Sequence, residues 1–217
     1  MIIGSATAVQ ATVTQSQSTF AAANPGLSTL TFENIAPANG YMLNEGNSFT
    51  GVSFTDSGYG SSNVGVADAG FLNTPSSVLF GNYFSTPLNM AFSPGVNAVG
   101  FNLSTAYDNG SADLTVYHNA SLLDQYSFVP DCRTSFDSYV GFYGYGQDIT
   151  AINFTPSGGV APLIDNLSFG NSQNSSSGSN DTLPTPEPTQ SASLGLGAFG
   201  LAALAMFARK RRCVTAQ

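Results

Sequence analysis

Carboxylates and tyrosines are the side chains with chemistry to offer in this 217-residue sequence. Glu33 sits in the alternating run Leu30–Ile35, and Asp165 in the apolar run Leu163–Phe169. Calcium takes six to eight oxygens from carboxylates and carbonyls. Glu33 and Asp165 are the carboxylate pair from which a calcium site would be built. Asp165 also shares parity with Leu167 and Phe169, so the alternative is a cap on a turn just outside the sheet. Glycoside hydrolysis needs an acid and a partner carboxylate facing each other across a cleft. The body offers only Glu33 and Glu45 as glutamates, and aspartates such as Asp108 and Asp124 stand in turn-like contexts, where the side chain bonds its own backbone. His118 is the single histidine, at a strand end before a turn, with no serine or cysteine nucleophile in a recognisable elbow. No catalytic set is expected, and the chain reads as a non-enzyme. Tyr107, Tyr117, Tyr126, Tyr139, Tyr143 and Tyr145 are candidates for stacking on sugars, although there is no tryptophan to lead them. On a sheet, tyrosines also serve to cover cross-strand neighbours.

The elements that must position these residues are strands. Leu30–Ile35 alternates apolar and polar, and Phe49–Phe54 follows after a Gly/Asn-rich loop. Thr19–Ala23 predicts a short helical turn stopped by Asn24-Pro25-Gly26, while Ser57–Gly70 reads as loop or irregular edge. Leu88–Phe92 precedes the turn Ser93-Pro94-Gly95, and Val96–Leu103 then places Val99, Phe101 and Leu103 on one face. Ala112–His118 and Leu122–Phe128 flank the turn at His118–Ser121 and form the clearest hairpin. Tyr139–Tyr145, Ile149–Phe154 and Leu163–Phe169 complete the series. Short strands at about ten-residue spacing predict an all-β antiparallel sandwich over residues 12–170. After it, Asn171–Asp181 has nothing to bury, so residues 171–185 read as a flexible Ser/Asn/Pro linker.

Charge narrows the range of partners. Four of the five basic residues are Arg209, Lys210, Arg211 and Arg212, leaving Arg133 against 13 acids upstream and a net charge of about −12 there. Nucleic acid is excluded, because nothing in the body neutralises phosphate. With only 8% charged residues, solubility rests on uncharged polar side chains. The two cysteines cannot make a framework. If Cys213 follows a membrane helix, it is separated from Cys132, which is left as a thiol or as half of an intermolecular bridge.

The C-terminal region says where the chain goes. Ser191–Ala208 is uncharged and apolar, and as a helix it spans roughly 27 Å, close to a bilayer's hydrocarbon core. The basic cluster 209–212 that follows marks the cytoplasmic side, so the body is expected outside. At the other end, Met1–Ala11 has no basic n-region but carries the small-x-small sequence Val9-Gln10-Ala11. It is read as the remnant of a signal peptide whose start lies upstream.

Pro186-Glu187-Pro188, the short Gly/Ala/Leu-rich helix and the terminal basic cluster, together residues 186–212, resemble the sorting signal of bacterial PEP-CTERM proteins. The resemblance implies handling by an exosortase-type enzyme, transient anchoring in the inner membrane, and delivery to the cell surface or exopolysaccharide matrix. The body, through Pro25-Gly26, Thr31-Phe32-Glu33, Gly51-Val52-Ser53-Phe54, Val99-Gly100-Phe101, Val140-Gly141-Phe142 and Ile164-Asp165-Asn166-Leu167, is similar to sandwich domains that precede such signals. That implies a jelly roll related in shape to carbohydrate-binding modules. The expectation is an exported surface or matrix protein with a structural or binding role. The alternatives are a carbohydrate-binding module, calcium-stabilised through Glu33 and Asp165, or a hydrolase of the matrix.

Overall fold

The structure is a computed structural model that describes residues 11–43, 48–56, 64–81, 86–106, 110–158 and 160–172. These belong to the first of the two units into which the chain divides, Met1–Ser175 and Ser176–Gln217. Fourteen strands and two short helices occur among the described residues. They are β1 (Thr12–Thr14), α1 (Gln17–Ala23), β2 (Ser28–Leu30), β3 (Tyr41–Leu43), β4 (Ser48–Phe49), β5 (Val52–Asp56), β6 (Val64–Ala67) and α2 (Ala69–Leu72), then β7 (Val78–Gly81), β8 (Leu88–Val96), β9 (Ala98–Thr105), β10 (Ala112–His118), β11 (Ser121–Phe128), β12 (Tyr139–Tyr143), β13 (Ile149–Pro156) and β14 (Pro162–Gly170).

An eight-stranded sheet runs β1-β12-β9-β14-β7-β6-β3, with β2 also on β14, and a six-stranded sheet runs β11-β10-β13-β8-β5-β4. Their pairings are all antiparallel. Strand alternation builds the core between them. Val99, Phe101 and Leu103 of β9, with Val140 and Phe142 of β12, meet Phe54, Met90, Leu114, Val116, Ile152 and Phe154 from the smaller sheet, and all are buried. The protein is therefore an antiparallel β-sandwich.

Over β9 and β12 the outer face of the larger sheet is covered by α1. α1 is capped by Ser16, whose Oγ accepts from the Thr19 amide at 3.2 Å. Its one buried residue, Phe20, lies on the cross-strand pair Gly100 and Gly141. A Cβ at Gly141 would fall 2.4 Å from the Phe20 ring, so the two glycines form the floor on which the helix is seated.

Several expectations fail locally. The strand expected at Leu30–Ile35 ends at Leu30, and the chain then turns, with Asn34 at positive φ. Phe32 is still driven into the core. Phe49–Phe54 is broken at Gly51, φ +85°, into β4 and β5. The stretch read as loop, Ser57–Gly70, contains β6, whose four residues are all buried, and the start of α2. Cys132 is not a free thiol. The segment Ser191–Ala208, the sorting residues Pro186, Glu187 and Pro188, and the cluster Arg209, Lys210, Arg211 and Arg212 lie outside the described residues. No helix among the described residues is long and apolar enough to cross a membrane.

Candidate functional site

Two arrangements bear on chemistry, one foreseen in the sequence and one not. Glu33 and Asp165 are brought together, clasped through consecutive serines. The Ser76 hydroxyl donates to Asp165 Oδ2 at 2.6 Å, and Ser77 donates to Glu33 from both its amide and its hydroxyl at 3.0 Å. Asn166 adds its amide to Asp165 Oδ1 at 2.6 Å and its carboxamide to Oδ2 at 3.2 Å. Asp165 is 1% exposed. Burial raises its pKa, the donors from Ser76 and Asn166 oppose that rise, and the negative charge of Glu33 adds to it.

All four carboxylate oxygens thus already accept a hydrogen. No third Asp, Glu, His or Cys among the described residues completes a metal set. The geometry is that of a hydrogen-bonded clasp that ties the segment after β2 to β14. A chelator is therefore expected to leave the thermal midpoint of the full chain unchanged. A calorimetric melt with and without EGTA checks this, and a drop of several degrees contradicts the clasp.

Most tyrosines singled out in the sequence are occupied in packing. Tyr139 and Tyr143 lie against Phe20, with ring centroids 5.9 and 5.8 Å away. Burial raises the pKa of Tyr139. Tyr145 donates to Asp124 at 2.9 Å, and burial, with that carboxylate second, raises its pKa. Tyr126 accepts from Gln15 and packs beside Phe128. Tyr107 lies outside the described residues. Among the five described, Tyr117 alone stands on the outer face of the smaller sheet, half-buried.

Strand register composes that face. Ala91 pairs with Ala151, and Ala151 pairs with Tyr117. Two residues along each strand, Thr55, Asn89, Asn153, Thr115 and Gln125 form a continuous cross-strand row. Their sequence neighbours Phe54, Met90, Ile152, Phe154, Leu114 and Val116 all point into the core, so alternation sends the row outward. The result is a shallow two-alanine floor, a phenol at one end and a line of hydroxyls and carboxamides along one side. Asn89 donates to Thr55 Oγ1 at 3.4 Å within the row.

The end that carries Tyr117 is pinned. The Thr150 hydroxyl donates to the Tyr117 carbonyl at 3.3 Å, and His118 Nδ1 is 2.8 Å from the Asp148 carbonyl oxygen. Asp113 is the one charged residue that β10 places on this face, in the adjacent row opposite Thr155 and Ser127. A surface of this kind exchanges hydrogen bonds with neutral polar groups and offers a ring and small apolar side chains to carbon-bound hydrogens. Sequence reading missed the row because Asn, Thr and Ala are ordinary strand-surface residues, and only register aligns them.

No family model matches the chain, and no curated protein does. Solved structures that the chain matches include a mutant of a family 29 carbohydrate-binding module at 15% identity, covering 62% of this chain and 95% of that one with a TM-score of 0.32. A family 6 module from Clostridium stercorarium, solved with cellobiose, is 14% identical over 64% of this chain and 99% of its own, TM-score 0.31. A family 11 module from Clostridium thermocellum is 12% identical over 69% and 98%, TM-score 0.28. The sandwich rests on its own strand pairing, and no residue role is taken from these neighbours.

Proposed function

We propose that this sandwich binds neutral glycan chains at the surface or in the exopolysaccharide matrix of a bacterium, without turning them over. The outer face of the smaller sheet is the binding surface. The observation that carries the reading is the register-aligned row Thr55–Asn89–Asn153–Thr115–Gln125 beside the Ala91–Ala151 floor and Tyr117. A pyranose presents hydroxyls at its rim and carbon-bound hydrogens on its faces. Carboxamides both donate and accept, so they suit the rim, and the negative face of a phenol suits the C–H groups. The acidity of the chain upstream of Arg209 repels uronate or sulfated polymers, which leaves neutral chains as ligands.

Binding to a panel of cellohexaose, laminarihexaose, xylohexaose and mannohexaose by isothermal titration calorimetry tests the proposal. Saturable heat with at least one of them is expected. Ala151→Arg, which raises a long cation from the floor, is expected to abolish the heat at that face.

Delivery through the PEP-CTERM-like segment belongs to the same reading and is supported by the order of Pro186-Glu187-Pro188, apolar run and Arg209–Arg212. An exosortase-type enzyme is the partner it implies. Fractionation of expressing cells is expected to find the sandwich outside the cytosol with the tail removed, and Glu187→Ala to hold it at the inner membrane. Cytosolic recovery of the native chain contradicts this part.

A further inference from the structure

The larger sheet carries a second aromatic feature, at its β3 edge. Tyr41 is 48% and Phe71 45% exposed, though both are large and apolar. Their centroids are 4.8 Å apart with planes at 42°. Phe80 meets Tyr41 edge-on at 6.2 Å and 77°, lying across Gly65, where a Cβ would come within 2.4 Å of its ring.

The pair is held from two directions by one carboxylate. Asp68 Oδ2 accepts from the Asn39 amide at 2.9 Å, on the segment leading to Tyr41, and from the Gly70 amide at 3.1 Å, next to Phe71. The Asp68 amide in turn donates to the Gly40 carbonyl at 2.9 Å, and the Phe71 amide to the Asp68 carbonyl at 3.0 Å. Two half-exposed rings are thus fixed in place before any ligand arrives, which lowers the entropic cost of binding.

We propose that the Tyr41–Phe71 pair is a second sugar-stacking site, taking one neutral pyranose unit, so that the sandwich binds glycan on two opposite sheets and joins separate chains. This rests on the glycan-binding reading above. Area selects the occupant. Phe and Tyr present about 150–250 Å² each, so half-exposed rings leave roughly 200 Å² for contact, whereas a stable dimer needs on the order of 800 Å² per partner. A patch of that size suits a ring face and not a second protein. The acidity of the chain again points to an uncharged sugar.

The test uses the full 217-residue chain and the hexaose of the panel that gives the largest heat. Two binding sites per chain are expected. Tyr41→Ala with Phe71→Ala reduces the stoichiometry to one, and so does Phe71→Ser alone, a change at an exposed position of α2 that leaves the melting midpoint in place. Asp68→Ala, which loosens the mount but keeps both rings, weakens the second site about tenfold without removing it. The native chain agglutinates beads coated with the matching polysaccharide, and the ring variants do not.

A stoichiometry of one in the native chain, abolished by Ala151→Arg, overturns the second site and leaves the first reading standing. One site that survives Ala151→Arg and is lost in Phe71→Ser supports the ring pair and removes the other face. Absence of binding to every hexaose overturns both. A loss of self-association in Phe71→Ser by analytical ultracentrifugation, with two sugar sites retained, overturns the proposal in favour of an interface between copies.

Discussion

Gly141→Val is expected to destabilise the sandwich by about 3 kcal/mol, the range seen when a buried phenylalanine loses its packing. A Cβ at this position would stand 2.4 Å from Phe20 Cδ2, and the neighbouring strand offers no compensation, because Gly100 lies directly opposite and is itself covered by Phe20 and Tyr139. Phe20 is 1% exposed and is the one buried residue of α1. Once its ring is displaced, the helix has little else to hold it. For a domain of this size each kcal/mol moves Tm by about 2–4 °C, so a drop of roughly 6–12 °C is expected. A double-mutant cycle identifies the cause: with Phe20→Ala in place the valine has room, and the two changes should cost much less together than their sum. Additive losses would show that Gly141 acts through the backbone of β12 and not through the seat of α1.

The second large effect is on binding. Tyr117→Ala and Asn153→Ala are each expected to weaken hexaose affinity about tenfold, equivalent to about 1.4 kcal/mol. The first removes a ring face, and the second removes a hydrogen-bonding carboxamide from the middle of the row. Ala151→Arg is expected to cost at least a hundredfold at the same face, because it blocks the floor between them. Ala151 pairs with Ala91 on the outward side while Ile152 beside it fills the core, so the thermal midpoint should shift little. Equal losses of stability and binding in all three variants would point to a face that matters only for folding.

The sequence makes the strands legible where alternation is strong and hides them where burial is two-sided. The hairpin of β10 and β11 is plain from Leu114 and Val116 and the turn at Asn119, and it pairs from Ala112–Phe128 to His118–Ser121 with a register shift between Val116 and Tyr117. β6 is not plain, because Val64-Gly65-Val66-Ala67 is covered on both faces and shows no alternation within a Gly/Ser-rich stretch. Leu30–Ile35 alternates convincingly, yet it stops being a strand after Leu30, where tertiary contacts outweigh the pattern. Phe32 goes to the core and Glu33 to Ser77. Glu33 and Asp165 are legible in the sequence only as a candidate calcium pair, and the serines that hold them are not legible, since no spacing links Ser76 to Asp165.

Tyrosines were the natural sugar-binding candidates by residue type. Tyr139, Tyr143 and Tyr145 prove to be packing residues once α1 and Asp124 are in place. The ring pair that stands exposed, Tyr41 with Phe71, comes from segments separated by β4, β5 and β6, a proximity that only the sheet order creates.

The central claim is that glycan lies on the outer face of the smaller sheet. Backbone amide correlation spectra of the ¹⁵N-labelled chain, titrated with the tightest hexaose, test it residue by residue. The largest shifts are expected at Ala91, Ala151, Asn89, Asn153 and Tyr117, saturating together. Saturable binding that leaves these five amides unmoved would contradict the account.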